Sequence, residues 1–213
     1  KENNFRFLCL IDKSITEQKK NRLIEAGIEY ICVKQEDDYD LRTSRIRQAN
    51  RMMESGQYYW VNQYDNLYGI MAHEQTTGPE IWKQTEGKIT HCVCSMGSGG
   101  TIIGTGKYLK RMSETIKIVG VEPFGSTIYG TIDASYINAG TGLYGKPGNI
   151  ARNSSIIDES FIIEDRNSIY YAKELQTKFG LNVGISTGMA YAAALQIAEK
   201  DQNAVILVVA PDG

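Results

Sequence analysis

Apolar runs alternate with amphipathic stretches along almost the whole chain. Short segments rich in β-branched and aromatic residues predict strands, and apolar positions at helical spacing predict helices. The predicted strands lie at residues 5–11, 28–33, 58–61, 91–95, 116–122, 161–163 and 204–209. The predicted helices lie at residues 15–26, 43–54, 70–85, 101–112, 166–179 and 187–200, with Ser14 as the N-cap of the first. Such alternation is typical of parallel sheets covered by helices, and we expect an α/β fold.

The last predicted strand contains the segment VILVV at residues 205–209, which is apolar at every position. A strand with one solvated face would alternate polar and apolar residues, so we expect this strand in the centre of a parallel sheet. The alternation of predicted strands and helices is interrupted near residues 64–68. This interruption predicts two lobes, a smaller α/β lobe at residues 1–64 and a larger one at residues 65–213.

Composition places the chain among ordinary globular proteins. It has 213 residues, of which 42% are hydrophobic and 23% charged, with a formal net charge of -2. This balance gives no electrostatic reason to expect nucleic acid or an anionic membrane as a partner. No apolar run is long enough to span a bilayer, and the N-terminus lacks a signal-peptide pattern. We expect a cytoplasmic protein.

The cysteines and histidines limit the possible chemistry. Four cysteines, each inside an apolar strand-like run, predict buried free thiols in a reducing compartment. Cys92 and Cys94 have no second pair of ligands nearby in the sequence, and neither histidine, His73 or His91, stands at ligand spacing from them. We therefore expect no metal site.

A glycine-rich segment, GSGGT at residues 97–101, lies between a predicted strand and a predicted helix. Glycines allow a tight turn and close approach of backbone N–H groups to a ligand, while the helix start adds unpaired donors. These features suit a phosphate dianion. The segment matches neither the P-loop pattern nor the G-x-G-x-x-G dinucleotide pattern. A turn without a ligand and a nucleotide site of another kind remain alternatives.

The segment resembles the G-[TS]-G-G-T phosphate loop of the cysteine synthase and cystathionine β-synthase family, the fold-type II pyridoxal-phosphate enzymes. Further segments resemble the same family in the same order: Asn62-Gln63-Tyr64, His73 with TTGPEI at 76–81, VGVEP at 119–123, GISTG at 184–188 and Pro211-Asp212. The resemblance implies three-layer parallel-sheet lobes of the tryptophan synthase β-like fold, incomplete at the N-terminus. It also implies pyridoxal 5'-phosphate as the cofactor and a homodimer as the assembly.

The resemblance implies a role for each matching position. The cofactor phosphate would be bound by Gly97, Ser98, Gly99, Gly100 and Thr101. Ser186 would face the pyridine nitrogen and Gln63 would lie beside the ring. Gly140, Thr141 and Gly142 would lie near the substrate, although the sequence departs from the family pattern after them. Taken alone, Ser186 is also compatible with a helix N-cap and Gln63 with a polar strand end.

A serine hydroxyl cannot hold a proton on the ring nitrogen as a carboxylate does. The resemblance therefore implies a nearly neutral ring, suited to β-replacement by way of an aminoacrylate. The substrate would be an activated serine, O-acetylserine or O-phosphoserine, and the product cysteine or a related amino acid. A serine or threonine dehydratase of the same fold is an alternative, as is a non-catalytic phosphate-binding module.

The family's Schiff-base lysine lies in an N-terminal strand-to-helix motif that also carries Ser and Asn, and no such motif is found here. The T-S-G-N-T-G substrate loop is not found either. Lys13, Lys107 and Lys146 stand in other contexts. We expect the chain to be a fragment that is inactive alone, and we assign no catalytic residue.

Overall fold

The computed structural model describes residues 5–13, 15–37, 41–138 and 140–212. The chain divides into two compact units, unit 1 at Lys1–Val61 and unit 2 at Asn62–Gly213. Among the described residues, no helix combines the length and apolar character needed to cross a bilayer. Ser14, the predicted first N-cap, lies outside the described residues.

Unit 1 contains two parallel strands and two helices. In chain order they are β1 (Leu8–Ile11), α1 (Glu17–Glu25), β2 (Glu29–Cys32) and α2 (Leu41–Glu54). The strands pair with Leu8 opposite Glu29 and Ile11 opposite Cys32. Helix α1 begins after Thr16, whose side chain accepts a hydrogen bond from the Lys19 N–H. The predicted parallel β–α–β unit is confirmed here.

Two predictions for unit 1 are wrong. Residues 58–61 form no strand, and Tyr59 is 83% exposed. Strand propensity measures how well a side chain fits a paired, half-buried strand, and no described strand pairs with this segment. Cys32 was expected to be buried but is exposed. In a sheet of two strands, an apolar strand sequence does not ensure that both faces are covered.

Unit 2 contains the remaining elements. They are α3 (Leu67–Gln75), α4 (Thr77–Gln84), β3 (His91–Ser95), α5 (Gly100–Met112), β4 (Lys117–Pro123), α6 (Gly148–Ala151), a 3-10 turn (Ser154–Ile156), β5 (Glu159–Ile163), α7 (Asp165–Phe179), α8 (Ile185–Lys200) and β6 (Ile206–Val208). The strands form one sheet in the order β5-β4-β3-β6, and every neighbouring pair is parallel.

Helices cover both faces of this sheet. Cys92 and Cys94 of β3 pack in one hydrophobic cluster with residues of α3, α4 and α5. Val93, which points the opposite way, packs in a second cluster with Met189 and Ala193 of α8. The expected three-layer arrangement is confirmed for unit 2.

The single helix predicted at residues 70–85 is two helices, α3 and α4. The break falls at Thr76, whose backbone angles are φ -121° and ψ -70°. Pro79 lies in the first turn of α4. In a continuous helix its ring would clash with the carbonyl of Gln75, four residues earlier, and it has no N–H to donate.

Strand β6 lies at the edge of the described sheet, beside β3, and not in its centre as predicted. Its apolar residues still face two cores. Leu207 packs against the cluster of α3–α5, whereas Ile206 and Val208 pack against the cluster of α8. In β6 the unbroken apolar run therefore reflects two covered faces and does not indicate the position of the strand in the sheet.

Candidate active site

The glycine-rich turn follows β3 and leads directly into α5. Gly99 has φ +87°, a left-handed conformation that favours glycine, and a Cβ there would collide with Ile150 Cγ1. The helix begins at Gly100 with no side-chain cap. The N–H groups of Gly100, Thr101 and Ile102 consequently have no partner within the helix. A helix start with such N–H donors is suited to bind an anion.

His73 connects the turn to α3 and α4. Its Nε2 lies 3.1 Å from Thr101 Oγ1, and its Nδ1 lies 2.9 Å from Thr77 Oγ1. Burial lowers the pKa of His73, so the neutral imidazole is favoured. A neutral ring has one N–H, and it donates to one threonine while it accepts from the other. From the sequence, His73 was expected only to pack on a helix face.

The predicted substrate-side loop packs against the glycine turn. The Gly142 N–H donates to Met96 O at 2.7 Å, and a Cβ on Gly97 would contact Gly140 O at 3.5 Å. Thr141 Oγ1 is buried and has no hydrogen-bond partner among the described residues. A buried hydroxyl without a partner is costly, so this atom suits a ligand that bonds to it.

Asn149 joins three segments of the site. Its Nδ2 donates to Ser98 O at 3.0 Å and to Gln63 O at 2.8 Å, while its Oδ1 accepts from the Asn66 N–H at 2.9 Å. The side chain is fully buried. Gln63 is therefore brought to the glycine turn through its backbone. Sequence reasoning missed Asn149 because an asparagine after Pro147-Gly148 looks like an ordinary turn residue.

Ser186 lies in the first turn of α8, and Gly184 occupies the N-cap position. The N-cap alternative for Ser186 is therefore wrong. Its backbone N–H donates to Asp212 Oδ2 at 3.0 Å, and its hydroxyl donates to the same oxygen. The Thr187 N–H and hydroxyl donate to Asp212 Oδ1. The carboxylate that caps α8 thus comes from the segment after β6.

The strand order brings these groups to one edge of the sheet. The glycine turn follows β3, and Asp212 follows β6. These strands are parallel neighbours, so their carboxyl ends meet at the same edge. Ser186, which is hydrogen-bonded to Asp212, lies at the same edge as the glycine turn. In open α/β sheets this edge is where ligands bind.

A buried carboxylate, Glu122, organises the loop after β4. Its Oε1 accepts from the N–H groups of Tyr129 and Gly130, each at 2.8 Å. Its Oε2 accepts from the Ile128 N–H and the Ser126 hydroxyl. The same hydroxyl oxygen accepts from the Leu143 N–H at 3.0 Å. Glu122 therefore supports the loop that carries Thr141.

A parallel sheet with an uncapped helix start at its carboxyl edge is an arrangement of α/β proteins that bind phosphate-bearing ligands. Residues 2–212 match the family described as pyridoxal-phosphate dependent enzyme, and the chain belongs to that family. The family resemblance seen in the motifs is confirmed, and with it the cofactor on which the family depends.

Similar proteins include cysteine synthases. Cysteine synthase B of Escherichia coli (strain K12) is 32% identical over 212 residues, which cover 98% of this chain and 65% of the relative. The cysteine synthase structure from Entamoeba histolytica superposes with a TM-score of 0.87 at 26% identity, covering 100% of this chain and 63% of that one. The O-acetylserine-dependent cystathionine β-synthase of Helicobacter pylori gives a TM-score of 0.85 at 28% identity, covering 96% and 66%. The chain thus spans about two thirds of the length of these proteins.

The residues present fit pyridoxal phosphate. The uncapped start of α5 offers N–H donors, and Thr101 adds a hydroxyl beside them. The Thr141 hydroxyl, which has no hydrogen-bond partner among the described residues, lies in the loop that packs on Gly97. The assignments of Gly97–Thr101, Gln63, Gly140–Gly142 and Ser186 to parts of the cofactor and substrate stay predictions.

Proposed function

We propose that this chain forms the cofactor-binding part of an enzyme that replaces the β-substituent of an activated serine to give cysteine or a related amino acid. The uncapped glycine turn at the carboxyl edge of the sheet is the observation that carries the proposal. The family membership and the O-acetylserine dependence of the Helicobacter pylori relative support O-acetylserine as substrate, with O-phosphoserine as the second candidate.

The residues of the site have separate tasks in this proposal. The N–H groups at the start of α5 and the Thr101 hydroxyl bind the phosphate, and His73 orients that hydroxyl. Thr141 offers its buried hydroxyl to the substrate. Ser186 faces the ring nitrogen from the start of α8. When bound, pyridoxal phosphate supplies the electron sink for carbanion chemistry at the substrate.

A matched pair of variants at Gly100 tests the phosphate position. Gly100 has room for a Cβ, since the nearest atom, Gly69 O, would lie at 3.4 Å. Asp and Asn have the same shape, so Gly100→Asp and Gly100→Asn differ in charge alone. A carboxylate beside the phosphate is expected to weaken pyridoxal-phosphate binding by about 10- to 100-fold relative to Gly100→Asn, from charge repulsion of about 1.4–2.8 kcal/mol.

Fluorescence titration of both variants measures the difference. An acidic residue in the first turn favours the helix itself, so a weaker affinity of Gly100→Asp cannot be attributed to loss of α5. Equal dissociation constants for the two variants would place the phosphate elsewhere.

Product analysis separates the proposed reaction from its alternatives. Cysteine formed from O-acetylserine or O-phosphoserine and sulfide supports β-replacement, whereas a 2-oxo acid formed without sulfide supports a dehydratase. Cofactor binding by the complete protein without either product supports a non-catalytic module. This chain alone is expected to bind the cofactor without turnover, because none of its lysines lies in the family's motif. A stoichiometric borohydride-reduced adduct on one lysine would contradict that expectation.

The proposal extends to a cytoplasmic homodimer acting on a small amino-acid substrate. The family resemblance is its support, and sedimentation equilibrium of the complete protein tests the dimer.

A further inference from the structure

The His73 ring lies between two threonine hydroxyls that belong to different helices. Its Nε2 lies 3.1 Å from Thr101 Oγ1 in α5, and its Nδ1 lies 2.9 Å from Thr77 Oγ1 in α4. Thr77 is four residues away from His73 in the sequence, whereas Thr101 is 28 residues away. The three side chains therefore form a row of two hydrogen bonds that ends at the glycine turn.

Close packing of the helices holds this row in place. A Cβ on Gly104 of α5 would lie 2.8 Å from His73 Cβ, and a Cβ on Gly78 of α4 would lie 2.5 Å from Tyr108 Cβ. Both distances are well below the contact distance of carbon atoms, so these glycines allow α3 and α4 to pack closely on α5. The imidazole ring is thus held beside the start of α5.

The number of available protons limits how the three groups can bond. Burial lowers the pKa of His73, so the neutral ring with a single N–H is favoured. Each threonine hydroxyl also has one proton to donate. Two arrangements satisfy both ring nitrogens. Either Thr101 donates to Nε2 while Nδ1 donates to Thr77, or Thr77 donates to Nδ1 while Nε2 donates to Thr101.

An anion at the glycine turn favours the second arrangement. The oxygen atoms of a phosphate dianion accept hydrogen bonds and have no proton to donate. In the first arrangement the Thr101 proton is engaged by His73, and its oxygen would turn lone pairs toward the anion. In the second arrangement the Thr101 proton is free to bond to the anion. Nδ1 must then accept a proton, and Thr77 Oγ1 lies at the distance to donate it.

We propose that Thr77 is a positioning residue that acts through His73 to direct the Thr101 hydroxyl proton toward the cofactor phosphate. This inference rests on the proposed function, in which that hydroxyl binds the phosphate. Thr77 contributes by holding the imidazole in the tautomer that carries its proton on Nε2. Hydrogen bonds in a row polarise one another, so loss of the first bond weakens the last.

Nitrogen NMR of the complete, ¹⁵N-labelled protein loaded with pyridoxal phosphate reads the tautomer. The signals of His73 are assigned by their loss in His73→Gln. Wild type is expected to show a protonated Nε2 and an unprotonated Nδ1. A loaded protein with the proton on Nδ1, or with protons on both nitrogens, would overturn the inference, because Thr77 could then not donate to the ring.

Removal of the Thr77 hydroxyl tests its effect on affinity. Thr77→Val leaves Nδ1 without its donor and is expected to weaken pyridoxal-phosphate binding about three- to tenfold, as for the loss of one hydrogen bond. Thr77→Ser keeps a hydroxyl and is expected to bind like wild type. Thr76→Val is the matched control, since the Thr76 hydroxyl donates to Ala72 O and makes no side-chain cap on α4. It is expected to retain wild-type affinity.

A double variant separates positioning from a structural role. Thr101→Val is expected to weaken binding, and adding Thr77→Val to it is expected to cause no further loss, because Thr77 acts through the Thr101 hydroxyl. Losses that add, unchanged affinity in Thr77→Val, or an equal loss in Thr77→Ser or Thr76→Val would each contradict the inference.

The outcomes distinguish this inference from the function beneath it. A fluorescence titration of wild type with pyridoxal phosphate precedes the other measurements, and absence of binding would refute the proposed function together with this inference. Wild-type binding that does not depend on the Thr77 hydroxyl would overturn the inference while the proposed function stands.

Discussion

Glu29 in unit 1 and Glu122 in unit 2 are both carboxylates with several hydrogen-bond donors, but their surroundings differ. Glu29 pairs with Arg6 on the surface, where the two side chains are 53% and 76% exposed. Glu122 is fully buried and accepts from three backbone N–H groups and the Ser126 hydroxyl. Exposed ion pairs contribute little to folding, whereas a buried carboxylate with its donors cannot be removed without leaving those donors unpaired.

The two units as a whole differ in burial in the same way as these two carboxylates. Both are built from parallel strands and helices, but only four described residues of unit 1 are buried: Ile11, Asp12, Ser44 and Ala49. In unit 2, helices cover both faces of the sheet, and buried polar side chains tie together the loops at its carboxyl edge. Polar residues therefore specify geometry where the surrounding apolar layers exclude water.

Glu122→Gln gives the largest expected effect. The amide keeps the volume but turns one acceptor oxygen into an NH₂ group that faces N–H donors. We expect unit 2 to lose about 3 kcal/mol of stability, within the range for breaking a buried charged network. Urea unfolding measures this loss through Trp82, with Trp60→Phe as background so that unit 2 carries the only tryptophan.

Glu29→Gln is the matched control in unit 1. Its unfolding is followed through Trp60 in a Trp82→Phe background, and only a small change is expected because the pair is exposed. If the free energy of unfolding falls by similar amounts in Glu122→Gln and Glu29→Gln, the expected difference between the two units is wrong.

Local features of the fold were predictable from the sequence. The bounds of β3 and the turn at residues 97–101 follow from an apolar run and a glycine cluster within ten residues. The break between α3 and α4 at Thr76 also has a local signal, Pro79. The apolar positions continue at helical spacing on both sides of Thr76, and this pattern led to the prediction of a single helix. The strand predicted at residues 58–61 failed because pairing depends on a partner elsewhere in the chain.

The polar connections of the site were not predictable in this way. Asn149 bonds to Ser98 across 51 residues and to Asn66 across 83, and no spacing pattern records such pairs. The sequence indicates Asp212 only as part of a terminal motif. Its hydrogen bonds to the start of α8 depend on β6 lying beside β3, which a single sequence does not specify.

Asn149→Ala is expected to have an intermediate effect on unit 2. The truncation leaves Gln63 O, Ser98 O and the Asn66 N–H without their partner. We expect a loss of about 2 kcal/mol in unit 2 and about tenfold weaker binding of pyridoxal phosphate. Unfolding by urea and a cofactor titration measure the two quantities.

Asn153→Ala is the control for this prediction. Its side chain makes one described hydrogen bond, from Nδ2 to Asn149 O at 2.8 Å, so a loss of about 1 kcal/mol or less is expected, with cofactor affinity retained. Affinity that falls equally in both variants would mean that Asn149 supports the site only through general stability.

Asp158→Asn gives the smallest expected effect and makes the comparison depend on pH. Burial alone would raise the pKa of Asp158, but the Ile118 N–H at 2.7 Å and Lys110 at 2.8 Å outweigh it and hold this pKa below the usual 3.8. A depressed pKa in the folded state stabilises the fold above the unfolded pKa, and this stabilisation is lost as the pH falls through the folded value.

We therefore expect the free energy of unfolding of wild type to exceed that of Asp158→Asn by about 1 kcal/mol at neutral pH. This gap is expected to close in acid below the usual pKa. Urea unfolding of unit 2 across this range measures the gap. A gap that stays constant in acid would show that shape, and not charge, accounts for the contribution of Asp158, and the electrostatic side of the contrast with unit 1 would then rest on Glu122 alone.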